Sequence, residues 1–128
     1  MNEYKFSNIE IGLEESFEVK IDASKMDKFL DISNDINPLH VDSNYAEKKG
    51  FPGRVVYGLL TSSFYSTLVG VHLPGKHSFL QGIDIQFSKP VYIGDTVTAK
   101  LIRRHGYRKV NKFVLICGFI IFTWLNYY

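Results

Sequence analysis

The sequence predicts an α+β protein in which an antiparallel sheet has its helices segregated to one face. Three observations carry this prediction. Residues 16–21 alternate polar and apolar side chains, residues 58–73 contain neither proline nor a charged residue, and alternation returns in residues 82–87 and 96–102. Strands on both sides of a block of helices are typical of this class of fold.

Short helices are predicted between the first strand and the long apolar segment. The letters SKMD, starting at Ser24, resemble a capping box with Asp in place of Glu, which predicts a helix through MDKFLDIS ending near Asn34. A loop containing Pro38 follows. Asp42 is then placed to cap a second short helix through SNYAEKK, which stops at Gly50.

The segment from Gly58 to Leu73 is the best candidate for a core helix. Its apolar residues recur at helical spacing, which predicts a buried face made of Leu60, Phe64, Leu68 and Val71. Three strands are predicted after it, in GIDIQF, in TVTAKLI and in the apolar run FVLICGFIIFTWL. The basic stretch RRHGYRKVNK between the last two is expected to be an exposed turn.

Composition excludes several classes of function. A length of 128 residues with 45% hydrophobic side chains predicts one domain over residues 1–128, and a net charge of +2 gives no electrostatic reason to bind nucleic acid. Cys117 is the only cysteine, so neither a disulfide framework nor a thiolate metal site is expected. The acidic N-terminus lacks signal-peptide features, which predicts a cytoplasmic protein. FVLICGFIIFTWL is shorter than the roughly 20 residues of a membrane-spanning helix.

The segment DINPLHVD concentrates side chains that move protons. It places Asp35, Asn37 and His40 on a loop restricted by Pro38, so that the carboxylate and the imidazole can meet at one point. A histidine near its working pKa at neutral pH, paired with an acid, is suited to general acid–base chemistry on a water molecule. The alternative is an ordinary turn in which Asp35 and Asn37 bond to the backbone and His40 lies on the surface.

Two residues of the long helix are further candidates. The N–H of Gly58, at the start of the helix, is available to hold a developing oxyanion, or the glycine serves only close packing. Ser66 lies about two turns further along the same helix. Its hydroxyl either steadies a neighbour or bonds back to its own backbone.

DINPLHVD resembles the hydratase-2 motif of the MaoC-like and (R)-specific enoyl-CoA hydratases. The resemblance continues in the family's order through VVYGLLTSSFYSTLVG, LPGKHSFLQGIDIQFSKPV and GDTV, and covers roughly Phe29 to Lys100. It implies a hot-dog fold, with a curled antiparallel sheet wrapped around a long central helix, and a homodimer. It also implies the reaction, which is reversible addition of water to a trans-2-enoyl thioester without a cofactor or a metal.

The resemblance also implies roles for individual residues. Asp35 and His40 would hold the attacking water, the Gly58 N–H would polarise the thioester carbonyl, and Ser66 would support the acid. Asn37 would shape the loop, and which member of the pair handles which proton stays open. The substrate would be a thioester of coenzyme A or of acyl carrier protein.

Two features depart from the family pattern. The family usually has His immediately before the oxyanion glycine, whereas this chain has Tyr57. Activity is expected to survive, because the proposed contact uses the backbone of Gly58, while pocket shape or substrate choice differs. The segment from about residue 104 is atypical, since FVLICGFIIFTWL does not alternate and leaves too little chain for a final strand.

Two other functions stay open at this point. A hot-dog thioesterase is one alternative, although DxNPxH is not what that chemistry calls for, and a non-catalytic acyl-thioester-binding or assembly protein is the other. Acyl-chain length is not predicted. The basic side chains either meet the carrier's phosphates or form a solvated surface; they are Lys76, Arg103, Arg104, Arg108 and Lys109.

Overall fold

The computed structural model describes residues 1–103, 105–107, 112–116 and 119–124, and the side chains of residues 1–103 except that of Phe6. In chain order the elements are β1 (Glu14–Lys20), α1 (Ala23–Ser33), α2 (Pro38–Val41), α3 (Ser43–Lys48), α4 (Gly58–Thr67), β2 (Ser78–Ile83), β3 (Thr96–Ile102), β4 (His105–Tyr107), β5 (Lys112–Ile116) and β6 (Phe119–Trp124). A 3₁₀ turn spans Phe6–Asn8. This order of strand, helices and further strands is the predicted α+β arrangement.

The described strands pair in two groups. β1 pairs with β3, and backbone hydrogen bonds join Gly12 to Arg103 near one end and Ile21 to Asp95 near the other, so the two strands run antiparallel. The remaining strands have the spatial order β2-β6-β5-β4, and all three of its pairings are antiparallel. In β3 the predicted alternation is confirmed, because Ala99 and Leu101 are buried while Thr98 and Lys100 are exposed.

The apolar run near the C-terminus was predicted as one strand, and this prediction is wrong. β5 and β6 divide the run and pair with each other, from Lys112 opposite Thr123 to Ile116 opposite Phe119. The basic stretch before it is not only a turn, since β4 lies within it and pairs with β5. The pairing of β5 with β6 satisfies the backbone groups on the edges that face each other, and β4 and β2 pair with the two outer edges. Cys117, Arg104, Arg108 and Lys109 lie outside the described residues.

The predicted long helix is confirmed, with one correction to its buried face. α4 continues directly into a π-helical turn over Leu68–His72, in which the Leu73 N–H donates to the Leu68 carbonyl at 2.8 Å. This wider turn adds one residue per turn and rotates the face that follows. Val69 is therefore buried in place of Val71, which is 39% exposed.

Three local predictions also need correction. The N-cap of α1 is Asp22, whose carboxylate accepts from the Lys25 N–H, rather than Ser24. The predicted loop at Pro38 contains the single helical turn α2, because proline suits the first position of a helix. β2 ends at Ile83, so the predicted strand through GIDIQF begins earlier and stops sooner than expected. The predicted end of α1 near Asn34 and the Asp42 cap of α3 are confirmed.

The chain divides into two compact units. The first comprises Met1–Phe17, Phe64–Gln86 and the chain from Thr98, and its buried cluster consists of Ile9, Leu68, Val69, Leu73, Ala99 and Leu101. The second comprises Glu18–Ser63 and Phe87–Val97 and contains α1, α2 and α3. Whether residues 1–128 form one domain with an atypical segment from about 104 stays a prediction. Within the described ranges, none of the helices has the length and apolar character needed to cross a membrane.

Candidate active site

A cavity of about 640 Å³ lies within the second unit. Its walls come from the end of α1, from α2, from the start of α4 and from the segment before β3. The lining residues are Phe29, Ser33, Asp35, His40, Val55, Val56, Tyr57, Gly58, Leu59, Thr61, Phe87, Ser88, Lys89, Pro90 and Val91. The volume is in the range of small-molecule binding sites, and the wall is mostly apolar with a few polar groups, which is typical of such sites.

Local hydrogen bonds shape the loop that carries Asp35. One carboxylate oxygen of Asp35, Oδ1, accepts from the Asn37 N–H at 3.1 Å, and the Asn37 Oδ1 accepts from the Leu39 N–H at 3.0 Å. These are the Asx-type bonds of the turn interpretation, and the second one caps α2. The turn and the chemical interpretation are therefore compatible, because Asp35 also lines the cavity and remains exposed.

His40 is held in one tautomer by its contact with Val55. The His40 Nδ1 lies 2.7 Å from the Val55 carbonyl oxygen. A carbonyl oxygen only accepts hydrogen bonds, so Nδ1 carries the hydrogen and donates it. In the neutral ring, Nε2 then carries the lone pair and is the nitrogen that can accept a proton.

Two further hydrogen bonds hold α2 in place, and a third joins the neighbouring segment to the chain before β3. The Val55 N–H donates to the Leu39 carbonyl at 2.9 Å, and the Arg54 Nε donates to the His40 carbonyl at 2.6 Å. The Val56 N–H in turn donates to the Val91 carbonyl at 2.8 Å. The segment 54–56 therefore links the histidine turn to the chain before β3. No motif in the sequence indicated Arg54 as a support.

Gly58 occupies the first position of α4. The Leu60 and Thr61 N–H groups donate to the carbonyl of Tyr57, whereas the Gly58 N–H has no acceptor in the described part of the chain. A helix start with a free N–H and the positive end of the helix dipole is suited to a developing negative charge. A side chain at this position would meet the ring of Phe87, since a Cβ would lie 2.8 Å from its Cζ. The predicted packing role and the predicted donor role are both consistent with this geometry.

Tyr57 is the most enclosed side chain of the cavity wall, at 2% exposure. Its ring lies 5.0 Å from that of Phe29 and 4.1 Å from that of His40, and its hydroxyl donates to the Asp35 carbonyl at 2.9 Å. Burial, and secondly the negative charge of Asp35, raise the pKa of Tyr57 above its ordinary value. The phenol therefore stays protonated, and a donor, throughout the neutral range.

The cavity brings together four of the predicted residues but not all six. Asp35, His40, Tyr57 and Gly58 line it, and Asn37 shapes the loop between the first two. Ser66 has an exposed side chain and is not a lining residue, so its supporting role stays a prediction.

On α4, two other hydroxyls contact the Gly58 peptide instead. Thr61 and Ser62 both donate to the Gly58 carbonyl, at 2.7 and 2.8 Å. Sequence spacing of three and four residues from Gly58 could have indicated these two contacts.

Most of the chain matches the model of one protein family. The family model described as MaoC like domain matches residues 5–115, which is most of the chain and extends beyond the motifs that the sequence alone made recognisable. The chain belongs to the MaoC-like domain family. The predicted family is thereby confirmed.

Individual members of the MaoC-like family are similar over much of this chain. A protein of Aeromonas caviae named (R)-specific enoyl-CoA hydratase is 36% identical over 94 residues, which is 73% of this chain and 70% of the relative. A 3-hydroxybutyryl-CoA dehydratase of Methylorubrum extorquens is 33% identical over 96 residues, which is 75% of this chain and 61% of the relative. The aligned part therefore spans between three fifths and seven tenths of these two proteins.

A solved structure confirms the predicted fold. The (R)-hydratase from A. caviae involved in PHA biosynthesis has a TM-score of 0.81 with this chain at 27% identity, and the match covers 91% of this chain and 97% of that one. This MaoC-like protein therefore has the hot-dog fold of the α+β class.

Proposed function

We propose that this protein is an (R)-specific enoyl-CoA hydratase, a hydro-lyase that adds water reversibly to a trans-2-enoyl thioester. One observation carries the proposal: Asp35, His40 and Gly58, which supply a carboxylate, an imidazole and a backbone N–H, all line one cavity of about 640 Å³. The similarity to relatives named as hydratase and dehydratase supports the same reaction. No metal or redox cofactor enters the proposed chemistry.

Hydration requires a base for water and an acid for the substrate carbon. Because His40 donates from Nδ1 to a carbonyl, its Nε2 accepts a proton from water, and the Asp35 carboxylate holds the same water. The water oxygen bonds to C3 of the enoyl group while the double-bond electrons move toward the thioester carbonyl. A proton returned from the pair to C2 completes the 3-hydroxyacyl thioester, so one water is added in total.

The charge that develops on the thioester oxygen during this step needs a donor. The Gly58 N–H supplies it in our proposal, since it is free in the described structure and lies at the start of α4. A backbone donor is fixed in advance by the helix. It therefore needs no reorganisation when the charge appears, which is the advantage of a preorganised oxyanion site.

Coenzyme A or acyl carrier protein would carry the acyl group, and Ser66 would support Asp35. We also propose a homodimer located in the cytoplasm. The choice of carrier rests on the names of the relatives, which include both coenzyme A and acyl-carrier-protein dehydratases. The homodimer and the role of Ser66 rest on the family resemblance.

The test is a direct assay with a panel of trans-2-enoyl-CoA substrates of increasing chain length. Hydration removes the absorbance of the conjugated enoyl thioester without releasing thiol, and chiral chromatography of the product distinguishes (R) from (S). Release of free thiol would indicate a thioesterase. Unchanged absorbance and no thiol, in the presence of saturable substrate binding, would indicate a non-catalytic acyl-thioester-binding protein.

A further inference from the structure

Tyr57 departs from the family pattern and makes two contacts in the structure, one of which uses a phenol hydroxyl that the usual histidine lacks. Its hydroxyl donates to the Asp35 carbonyl at 2.9 Å, and its ring packs at 4.1 Å against that of His40 with the planes inclined by 35°. One side chain therefore touches both members of the proposed water-handling pair. These two contacts are separate from the backbone role of the neighbouring Gly58.

The hydroxyl contact bears on the direction of the Asp35 carboxylate. Asp35 lies outside any helix or strand, and within the described part of the chain its carboxylate accepts a hydrogen bond only from the Asn37 N–H two residues away. Such a local Asx bond moves with the loop that contains it. The bond from Tyr57 comes from a residue 22 positions along the chain, so it anchors the loop to a different segment.

The ring contact bears on the plane of the His40 imidazole. The bond from Nδ1 to Val55 fixes one atom of the ring, but a single hydrogen bond leaves the ring free to tilt about that atom. A neighbouring aromatic face at 4.1 Å restricts this tilt. The direction of Nε2, which must meet the water, depends on both contacts.

Tyr57 is itself well fixed. It is 2% exposed, the ring centroid of Phe29 lies 5.0 Å from that of Tyr57, and its carbonyl accepts from the N–H groups of Leu60 and Thr61 in the first turn of α4. Because Tyr57 is restrained in this way, it can restrict the movement of Asp35 and His40, the two residues that it contacts.

We propose that Tyr57 is a positioning residue that sets the relative geometry of Asp35 and His40. The inference rests on the proposed hydratase function. A reacting group displaced by about 1 Å can cost on the order of 100-fold in rate. Tyr57 is therefore expected to affect turnover far more than substrate binding.

The main test compares Tyr57→Phe with a matched variant, Tyr4→Phe. Both changes remove one phenolic hydroxyl, and the Tyr4 hydroxyl donates to Glu15 at 2.8 Å outside the cavity wall. We expect Tyr57→Phe to lower kcat by about 10-fold or more with KM within about twofold, while Tyr4→Phe leaves both unchanged. Equal kcat values for Tyr57→Phe and the unmodified protein would overturn the proposal.

A double-mutant cycle separates positioning from general destabilisation. If Tyr57 acts through Asp35, then Tyr57→Phe should change the residual turnover of Asp35→Asn by no more than about twofold. Independent, multiplying losses in the double variant would overturn the proposed route through Asp35.

A readout independent of turnover distinguishes failure of this inference from failure of the hydratase function. Nitrogen-15 NMR of the His40 ring should report one Nδ1–H tautomer in the unmodified protein and in Tyr57→Phe, which keeps the ring contact, and broadened, exchanging signals in Tyr57→Leu, which removes the aromatic ring beside His40. An inactive unmodified protein with this NMR difference refutes hydration and supports positioning. An active protein whose kcat is insensitive to Tyr57→Phe and whose His40 ring signals are insensitive to Tyr57→Leu refutes positioning and supports hydration.

Discussion

The loop at residues 33–40 and the buried cluster around Leu68 are held together by different forces. In the loop, Asp35 and Asn37 are exposed and are fixed by hydrogen bonds between side chains and backbone. In the cluster, Leu68 and Leu101 are almost completely buried and are fixed by apolar packing. Burial of apolar surface is the main source of folding free energy, whereas an exposed hydrogen bond contributes little to it.

We therefore expect the geometry of the proposed active site and the stability of the fold to depend on separate contacts. Changes in the cluster should lower the free energy of unfolding while the folded fraction keeps its turnover. Changes in the loop or in its supports should lower turnover while the protein stays folded. Four variants test whether stability and turnover depend on different contacts.

Loss of the C-terminal strands is expected to have the largest effect. A chain that ends at Asn111 lacks β5 and β6, and β2 then loses the strand with which it pairs. Exposed strand edges of this kind promote aggregation. Light scattering and circular dichroism should detect an aggregated or unfolded protein, and a soluble, folded, active product would mean that the hairpin is dispensable.

Leu68→Ala should destabilise the protein by about 2–5 kcal/mol, because it leaves a cavity at a side chain with 0% exposure. Denaturant titration measures this loss. Turnover per folded molecule should stay within about twofold of the unmodified value, since the change lies in the cluster. A loss of turnover without a loss of stability would contradict the separation.

Gly58→Pro deletes the proposed oxyanion donor and should lower kcat by about 10²-fold. The first helical position accepts proline, but any side chain there meets Phe87. Gly58→Ala is the control, because it adds the same Cβ and keeps the N–H. If alanine and proline reduce kcat equally, the loss is steric and Gly58 is not the donor.

Asn37→Ala should have the smallest effect of the four. It removes the cap of α2, which is worth about 1 kcal/mol, and this corresponds to no more than about tenfold in turnover. Asn37→Asp keeps a side-chain oxygen that can accept from the Leu39 N–H, and it should retain most activity. Equal losses for the two variants would mean that the cap does not shape the site.

Much of the site could be predicted because its chemistry is local in sequence. Asp35, Asn37 and His40 lie within six positions, and their turn follows from the hydrogen-bonding habits of Asx residues and from Pro38. The free N–H of Gly58 follows from its place at a helix start. The start and approximate length of the long helix follow from its apolar spacing.

The remaining features depend on contacts between distant segments, which spacing does not reveal. Tyr57 meets Asp35 across 22 positions, and Arg54 meets His40 across 14. The π-helical turn that buries Val69 instead of Val71 leaves no signature in the pattern of apolar residues. The division of the C-terminal run into β5 and β6 was missed because a continuous apolar run carries no alternation that marks a turn.

The turnover of Asp35→Asn on a trans-2-enoyl-CoA substrate measures whether the carboxylate of Asp35 takes part in hydration. Asparagine keeps an oxygen that can accept from the Asn37 N–H, so the loop should keep its shape while the carboxylate charge is lost. Asp31→Asn is the control, because it neutralises an exposed carboxylate of α1 outside the cavity wall. We expect Asp35→Asn to lose about 10²-fold or more in kcat with an unchanged circular dichroism spectrum, and Asp31→Asn to lose nothing. Near-normal turnover of Asp35→Asn would remove Asp35 from the mechanism and contradict the account.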